Sequence, residues 1–300
     1  MSYSSEYWIQ QFFNGLGLGS IYALTAVGYT LVYGILRLIN FAHGDLLMIS
    51  AYTVASLIGF HLLPYPLAVA AALVFVALIG LTIERLAYRP LRGKPEETTL
   101  VTSLAVSILI QNLALMILSP QPRAFSLPSF FSATIRMGSV SFPLINIIIL
   151  LITAILLWML TLMIKKTKIG IAMRASAENL QAALLMGVNL NSIVRTAFVI
   201  GSVLAAVAGI LMAGRYGRID PFMGFVPGLK AFVAAVIGGI GSIHGAAVGG
   251  LILGFGEILF VAMLPPDLSA FKDIFVFLAL ILMLLVKPSG LFGRPADRRV

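Results

Sequence analysis

The stretch FPLINIIILLITAILLWMLTLMI, Phe142 to Ile164, contains no charged side chain and runs directly into Lys165 and Lys166. A bilayer crossing needs about 20 consecutive apolar residues, and an unpaired charge within hydrocarbon is costly. The stretch therefore reads as a membrane-spanning helix with its basic end at one membrane face. The same test applied outward gives further spans at Phe12–Leu36, Leu46–Leu63, Leu67–Ala87, Thr98–Leu118, Ile193–Ala213 and Phe271–Val286. Leu229–Leu264 is too long for one untilted helix. Gly-rich sequence around Gly238–Gly245 interrupts it, so it is expected to cross twice or to break. The expected fold class is all-α, a polytopic integral membrane bundle of about eight or nine transmembrane helices.

Composition agrees, since 60% of the 300 residues are hydrophobic and only 10% are charged, which leaves too few polar side chains to cover a water-facing surface. No cysteine is present, so disulfides, thiolate catalysis and thiolate-held metals are excluded. The net charge of +9 is gathered in short stretches between apolar runs, a topology signal rather than a nucleic-acid footprint. Residues 1–11 contain Glu6 and no Lys or Arg, so a cleavable signal peptide is not expected.

Arg89, Arg92 and Lys94, then Lys165, Lys166, Lys168 and Arg174, then Lys287, Arg294, Arg298 and Arg299 mark three segments expected on the cytoplasmic side. The Pro- and Ser-rich loop 119–141, with Arg123 and Arg136, suits the opposite side. That parity places the N-terminus outside with nine crossings if 229–264 crosses twice. No soluble domain and no internal repeat is evident.

Several constellations could bear function. In the first span Asn14, Tyr22, Thr25, Tyr29 and Tyr33 fall within about 100° on a helical wheel. Lipid offers these groups no partners, so they should face other helices or a water-filled path. Asn40-Phe41-Ala42-His43-Gly44-Asp45 breaks two apolar segments; His43 and Asp45 are proton-relay candidates or, the favoured reading, part of a helix start at the interface. Gly201, Ala205, Gly209 and Ala213 recur every fourth residue, as do Gly241, Gly245 and Gly249, and small-residue stripes of this kind let helices pack closely. Glu257 lies alone among apolar neighbours and is expected to be a hydrogen-bonded structural carboxyl, with ion coupling as the alternative. Gln111 and Asn112 are polar positions in the fourth span.

The segment Lys165–Asn189 reads as one or two amphipathic helices, with Met173, Ala177, Leu180 and Leu184 at helical spacing and Gly187 as a stop. Its basic residues cluster at one end rather than along a polar face, which favours docking to a partner over lipid binding. No phosphate-cradling Gly-x-x-x-x-Gly-Lys-[Ser/Thr] occurs, nor His-Glu-x-x-His or Gly-x-Ser-x-Gly, and the three histidines are scattered. A nucleotide hydrolase, a zinc enzyme and a serine hydrolase are therefore not expected.

Four blocks in order resemble a known family: Asn14-Gly15-Leu16-x-Leu18-Gly19-Ser20-Ile21-Tyr22-Ala23-Leu24; Ile39-Asn40-Phe41-Ala42-His43-Gly44-Asp45; Arg174-Ala175-x-x-Glu178-Asn179-x-x-Ala182-Ala183-x-x-Met186-Gly187; and Gly228-Leu229-Lys230-Ala231-Phe232-Val233-Ala234-Ala235-Val236-x-Gly238-Gly239-x-Gly241-Ser242. Over nearly the whole chain the sequence is similar to the shorter permease subunit of bacterial ATP-binding-cassette importers for branched-chain amino acids. The resemblance implies a single transmembrane permease domain, 1–300, in a bacterial inner (plasma) membrane. It implies a second permease subunit, two cytoplasmic ATPase subunits that use ATP and Mg, and a periplasmic or surface-tethered substrate-binding protein, with no cofactor or metal bound by this chain. It makes 165–190 the cytoplasmic coupling loop that contacts the ATPase, through Arg174, Ala175, Glu178, Asn179, Ala182, Met186 and Gly187, and 119–141 an extracytoplasmic loop. Asn14, Tyr22, Thr25, Tyr29, Asn40, His43, Gln111 and Asn112 are the translocation-path candidates. Relatives of this permease type also serve urea and short-chain amides, and an ion-coupled secondary transporter is the competing class.

Overall fold

The charge-free stretches become helices in the computed structural model, which describes residues 4–137 and 140–293. In chain order the helices are α1 (Ser5–Leu36), α2 (His43–Gly59), α3 (Tyr65–Ile83), α4 (Glu96–Leu118), α5 (Leu144–Lys166), α6 (Lys168–Glu178), α7 (Leu180–Leu185), α8 (Leu190–Tyr216), α9 (Phe225–Gly238), α10 (Ile243–Met263) and α11 (Lys272–Val286). The all-helical bundle expected from the sequence is the fold the chain adopts. Loop 119–141 adds short strands. β1 (Arg123–Ala124) pairs antiparallel with β4 (Arg218–Ile219), and β2 (Thr134–Met137) with β3 (Val140–Pro143).

Among the described residues, α1, α3 with its continuation to Leu91, α4, α5, α8 and α10 are long and apolar enough to cross a membrane. The other three apolar helices, α2, α9 and α11, have 17, 14 and 15 residues. At about 1.5 Å per residue they reach only about 21–26 Å, short of the roughly 30 Å hydrocarbon layer. The count of nine thus separates into six full spans and three shorter ones. Leu229–Leu264 does break, at Gly239–Ser242, where Gly239 and Gly241 take φ of 103° and 95°. α1 begins seven residues before its expected start, because Ser4 Oγ accepts a hydrogen bond from Tyr7 N and caps it. α2 stops at Gly59, short of Leu63.

The two ends of the bundle differ. At one, the loop end, β1 and β4 join the exits of α4 and α8, and Tyr7 Oη at the start of α1 donates to Ala262 O at the end of α10. At the other, the basic end, Arg92 donates to Asn191 and bonds to Glu84, Lys165 and Lys166 close α5, and Phe292 N donates to Gly238 O over 2.9 Å. Arg294, Arg298 and Arg299 lie outside the described residues.

α1 is the centre: 94% of its apolar window is buried, against 22% for α4 and for α5, which are outer helices. Glycine makes this possible, since a Cβ at Gly19 would fall 2.9 Å from Leu251 Cα, and one at Gly28 would fall 3.2 Å from Gly201 O. No repeat is evident in the sequence, yet the backbone contains one. α1, a break, α2 and α3 run in the opposite sense to α8, a break, α9 and α10. α3 packs on α8 as α10 packs on α1, and the two copies cross at Gly28 and Gly201. Different side chains on the two copies hide this symmetry from a residue pattern.

Candidate functional site

Both breaks lead into the bundle interior, where the N-terminal ends of α2 and α9 meet. A Cβ at Gly44 would lie 2.6 Å from Gly224 O and 3.0 Å from Gly228 Cα, and one at Gly224 would overlap Gly44 O. Glycine is required here because the two backbones touch. Tyr29, His43, Phe41 and Phe232 surround the junction, with ring centroids 4.6 Å apart for Tyr29 and His43, 6.2 Å for Tyr29 and Phe232 and 6.1 Å for Phe41 and Phe232. His43 is buried, and its Nε2 points at the Gly28–Gly201 crossing without a hydrogen-bond partner among the described residues. Helices that start inside a bundle turn their N-terminal ends, with their partial positive charge, toward its interior.

Toward the outer helix α11 lies a charged cluster. Lys230 Nζ of α9 is 2.6 Å from Glu257 Oε1 of α10 and 2.6 Å from Asp273 Oδ1 of α11, and Tyr22 Oη donates to Glu257 Oε2 over 2.9 Å. Glu257 thus has two partners and fits the structural reading of the sequence. Neither Lys230 nor Asp273 is marked as a site residue by the sequence pattern alone. The usable signal was a lysine and a glutamate of opposite sign within one apolar stretch, a pairing that low dielectric demands.

The remaining path candidates separate. Asn14 accepts from Asn146 Nδ2 over 3.0 Å, while Arg215 donates to Asn146 Oδ1 and to Asn14 O, fastening α1, α5 and α8 near the loop end. Thr25 Oγ1 donates to its own helix at Ile21 O. Asn40 Oδ1 accepts from Tyr88 Oη over 2.9 Å, tying the first break to the end of α3. Gln111 Nε2 donates to Asp45 Oδ1 over 3.0 Å, joining α4 to the start of α2. Asn112 is exposed and donates to Ile108 O, apart from the others. The structure therefore gathers Tyr29 and His43 at the junction, puts Tyr22 in the ion cluster, and uses Asn14, Asn40 and Gln111 as ties between elements.

The small-residue stripes also divide. Gly201 faces Gly28 and Gly209 faces Leu47 and Ser50, whose hydroxyl donates to Ala206 O; Ala205 is buried between them in sequence. Gly245 and Gly249 pack on Gly238 and Ala234 of α9. Gly241, expected in the same stripe, precedes the α10 cap Ser242 and has open space where a Cβ would stand, so it serves the turn. A second row, Gly250 and Gly254, seats α10 against Ala23 and Gly19 of α1.

At the basic end the segment 165–190 forms two helices rather than one. Asn179 ends α6, and its Oδ1 accepts from Ala182 N over 3.0 Å to cap α7. Gly187, with φ 82°, closes α7 together with the bond from Val188 N to Ala183 O. Met173 and Ala183 are buried, whereas Leu185 and Met186 are 89% and 84% exposed. Ala175, Glu178, Asn179, Ala182 and Met186 line a shallow cleft of about 270 Å³, and Arg174 is exposed beside it on α6. The result is a capped, two-helix face that presents apolar knobs and a cleft away from the bundle.

Residues 11–286 match the family model described as "Branched-chain amino acid transport system / permease component". The chain is 43% identical to the high-affinity branched-chain amino acid transport system permease protein LivH of Escherichia coli (strain K12), with all of both chains covered. It is 41% identical to the corresponding permease protein BraD of Pseudomonas aeruginosa, with 98% of each covered. It is also 32% identical to the galactofuranose transporter permease protein YtfT of Escherichia coli (strain K12), over 82% of this chain and 71% of that one. No solved structure matches the chain.

Proposed function

The chain belongs to the family of branched-chain amino acid transport permease components, and from that premise we propose that it is one membrane-spanning subunit of an ATP-driven importer of leucine, isoleucine and valine. It moves substrate and performs no covalent chemistry. The subunit works beside a second permease in a bacterial inner membrane, with the basic end in the cytoplasm. Two ATPase subunits, which use ATP and Mg, grip that end, and a substrate-binding protein delivers cargo to the loop end.

The observation that carries this reading is the α6–α7 face. Six of the eight residues named in the third recognisable block line its cleft, and Leu185 and Met186 stand out where an unpartnered surface would be unfavourable in water. Closure of the ATPase pair displaces α6–α7, and α8, which follows directly, transmits the shift to the Gly28–Gly201 crossing and the α2–α9 junction. Reconstitution of the complete complex in vesicles tests this. Leucine uptake should require every subunit and ATP hydrolysis. Uptake by the permease subunits alone, driven by an imposed ion gradient, would establish the secondary-transporter alternative. Competition by urea or acetamide at least as effective as that by leucine would assign the cargo to the amide class.

A further inference from the structure

We propose that Tyr52, Arg123 and Asp220 form a loading site at the loop end for a free zwitterionic amino acid with an aliphatic side chain; this rests on the importer reading and locates where its cargo first meets the bundle. A cleft of about 280 Å³ opens there, lined by Tyr52, Ser56, Gly59 and Phe60 of α2 and its exit together with Arg123 of β1. That is just under the roughly 300–1,000 Å³ used by drug-sized ligands, the size class of one amino acid.

Three features make the cleft more than a surface dent. Tyr52 is 2% exposed, and its hydroxyl is buried without a hydrogen-bond partner among the described residues, a costly state that a ligand oxygen relieves. Arg123 in the lining and Asp220, just past β4, carry charges of opposite sign. Strand pairing explains their proximity, since Arg123 stands opposite Ile219, the neighbour of Asp220. Arg123 spends one donor on Leu118 O and has others in its fork for a carboxylate. Asp220 Oδ1 accepts from Phe222 N over 3.0 Å, which fixes the carboxylate toward which an ammonium would turn. Ala55, Gly59 and Phe60 supply an apolar wall. Two of its elements connect to the α2–α9 junction. The chain from Asp220 descends to Gly224, which touches Gly44, and Tyr52 lies about two helical turns along α2 from Gly44.

The absence of cysteine from the chain permits a direct test in the complete complex. Gly59→Cys places a thiol where nothing lies within 4 Å of the added Cβ, and Ser56→Cys is a second, nearly isosteric probe. The rate at which a membrane-impermeant maleimide labels this chain is measured with L-leucine, with 4-methylpentanoate, which lacks the ammonium, and with isoamylamine, which lacks the carboxylate. L-Leucine should protect both probes, and the two analogues should protect poorly. Tyr52→Phe, Arg123→Gln and Asp220→Asn should each raise the half-protecting leucine concentration about tenfold, the scale of one lost charge-assisted hydrogen bond. Labelling indifferent to leucine at both probes, in a complex that still imports leucine with ATP, overturns the site and leaves the importer reading standing. Protection given only by ligand-free binding protein, and not by leucine alone, overturns it as well. Loss of ATP dependence in the unmodified complex counts instead against the importer reading.

Discussion

Lys230 Nζ and Glu257 Oε1 lie 2.6 Å apart with side chains 4% and 3% exposed, and the same ammonium serves Asp273. Removing one member of a buried pair costs about 3–5 kcal/mol because the survivor is left charged and unpaired. The three members are not equivalent. Lys230→Met strands two carboxylates, whereas Glu257→Gln leaves Lys230 paired to Asp273 and keeps a partner for Tyr22. Thermal unfolding of the purified complex should therefore show the lysine change to be the more damaging. The reverse order would mean that Asp273 contributes little to holding Lys230.

The same geometry bears on ion coupling. A carboxylate already neutralised by an ammonium has no call for a transported proton, so Glu257→Gln should leave the shape of the transport-against-pH curve unchanged even where the rate falls. A lost or displaced pH limb in the variant would restore Glu257 as a coupling group.

On the α6–α7 face, Leu185→Asp and Met186→Asp should spare the bundle, since surface substitutions usually change stability by less than about 0.5 kcal/mol. They should weaken association with the ATPase and reduce leucine uptake more than tenfold, roughly the effect of losing 1.4 kcal/mol or more of contact. Gly187→Ala acts differently: at φ 82° a Cβ costs about 1 kcal/mol, which should loosen the end of α7 and lower the ratio of solute moved to ATP hydrolysed. Co-purification and paired uptake and hydrolysis assays separate the two effects. Full coupling in all three variants would remove this face as the docking surface.

Glycine contacts give a contrast within the bundle. A Cβ at Gly209 would run into Leu47 O and stand 2.5 Å from Ser50 Oγ, whereas one at Gly59 would meet nothing within 4 Å. Gly209→Ala should cost about 1–3 kcal/mol through overpacking, and Gly59→Ala should be neutral or slightly stabilising. Equal melting temperatures for the two variants would show that α2 and α8 can separate without penalty.

Spans were legible in the sequence because hydrocarbon penalises every misplaced charge, so Lys165, Arg92 and Glu96 mark boundaries wherever they stand. The helical character of 165–190 was legible because Gly187, its stop, is a local device; the division at Asn179 was not. The features that a linear sequence does not display depend on long-range pairing. Lys230 reaches Glu257 across 27 positions, Arg215 reaches Asn14 across 201, and Arg123 meets the neighbour of Asp220 only through a two-residue ribbon. The inverted repeat is hidden for a related reason: it is a symmetry of backbone direction, held by glycines at 28, 44, 201 and 224 that any tight bundle uses.

That symmetry yields a sharper test at the α2–α9 junction. Each glycine's missing Cβ makes room for the other's carbonyl, since a Cβ on Gly44 would sit 2.6 Å from Gly224 O and one on Gly224 would intrude on Gly44 O. Gly44→Ala alone should push the two helix starts apart, costing about 1–3 kcal/mol and slowing transport, and Gly224→Ala should do the same. Once the first methyl has separated the backbones, the second has less left to displace. The double variant should therefore fall short of the sum of the singles by about 0.5 kcal/mol or more, as residues in contact do. Melting temperatures of the four complexes complete the cycle. Strict additivity would mean that the helix starts do not touch in the assembled transporter, and the passage through the bundle would have to be sought elsewhere.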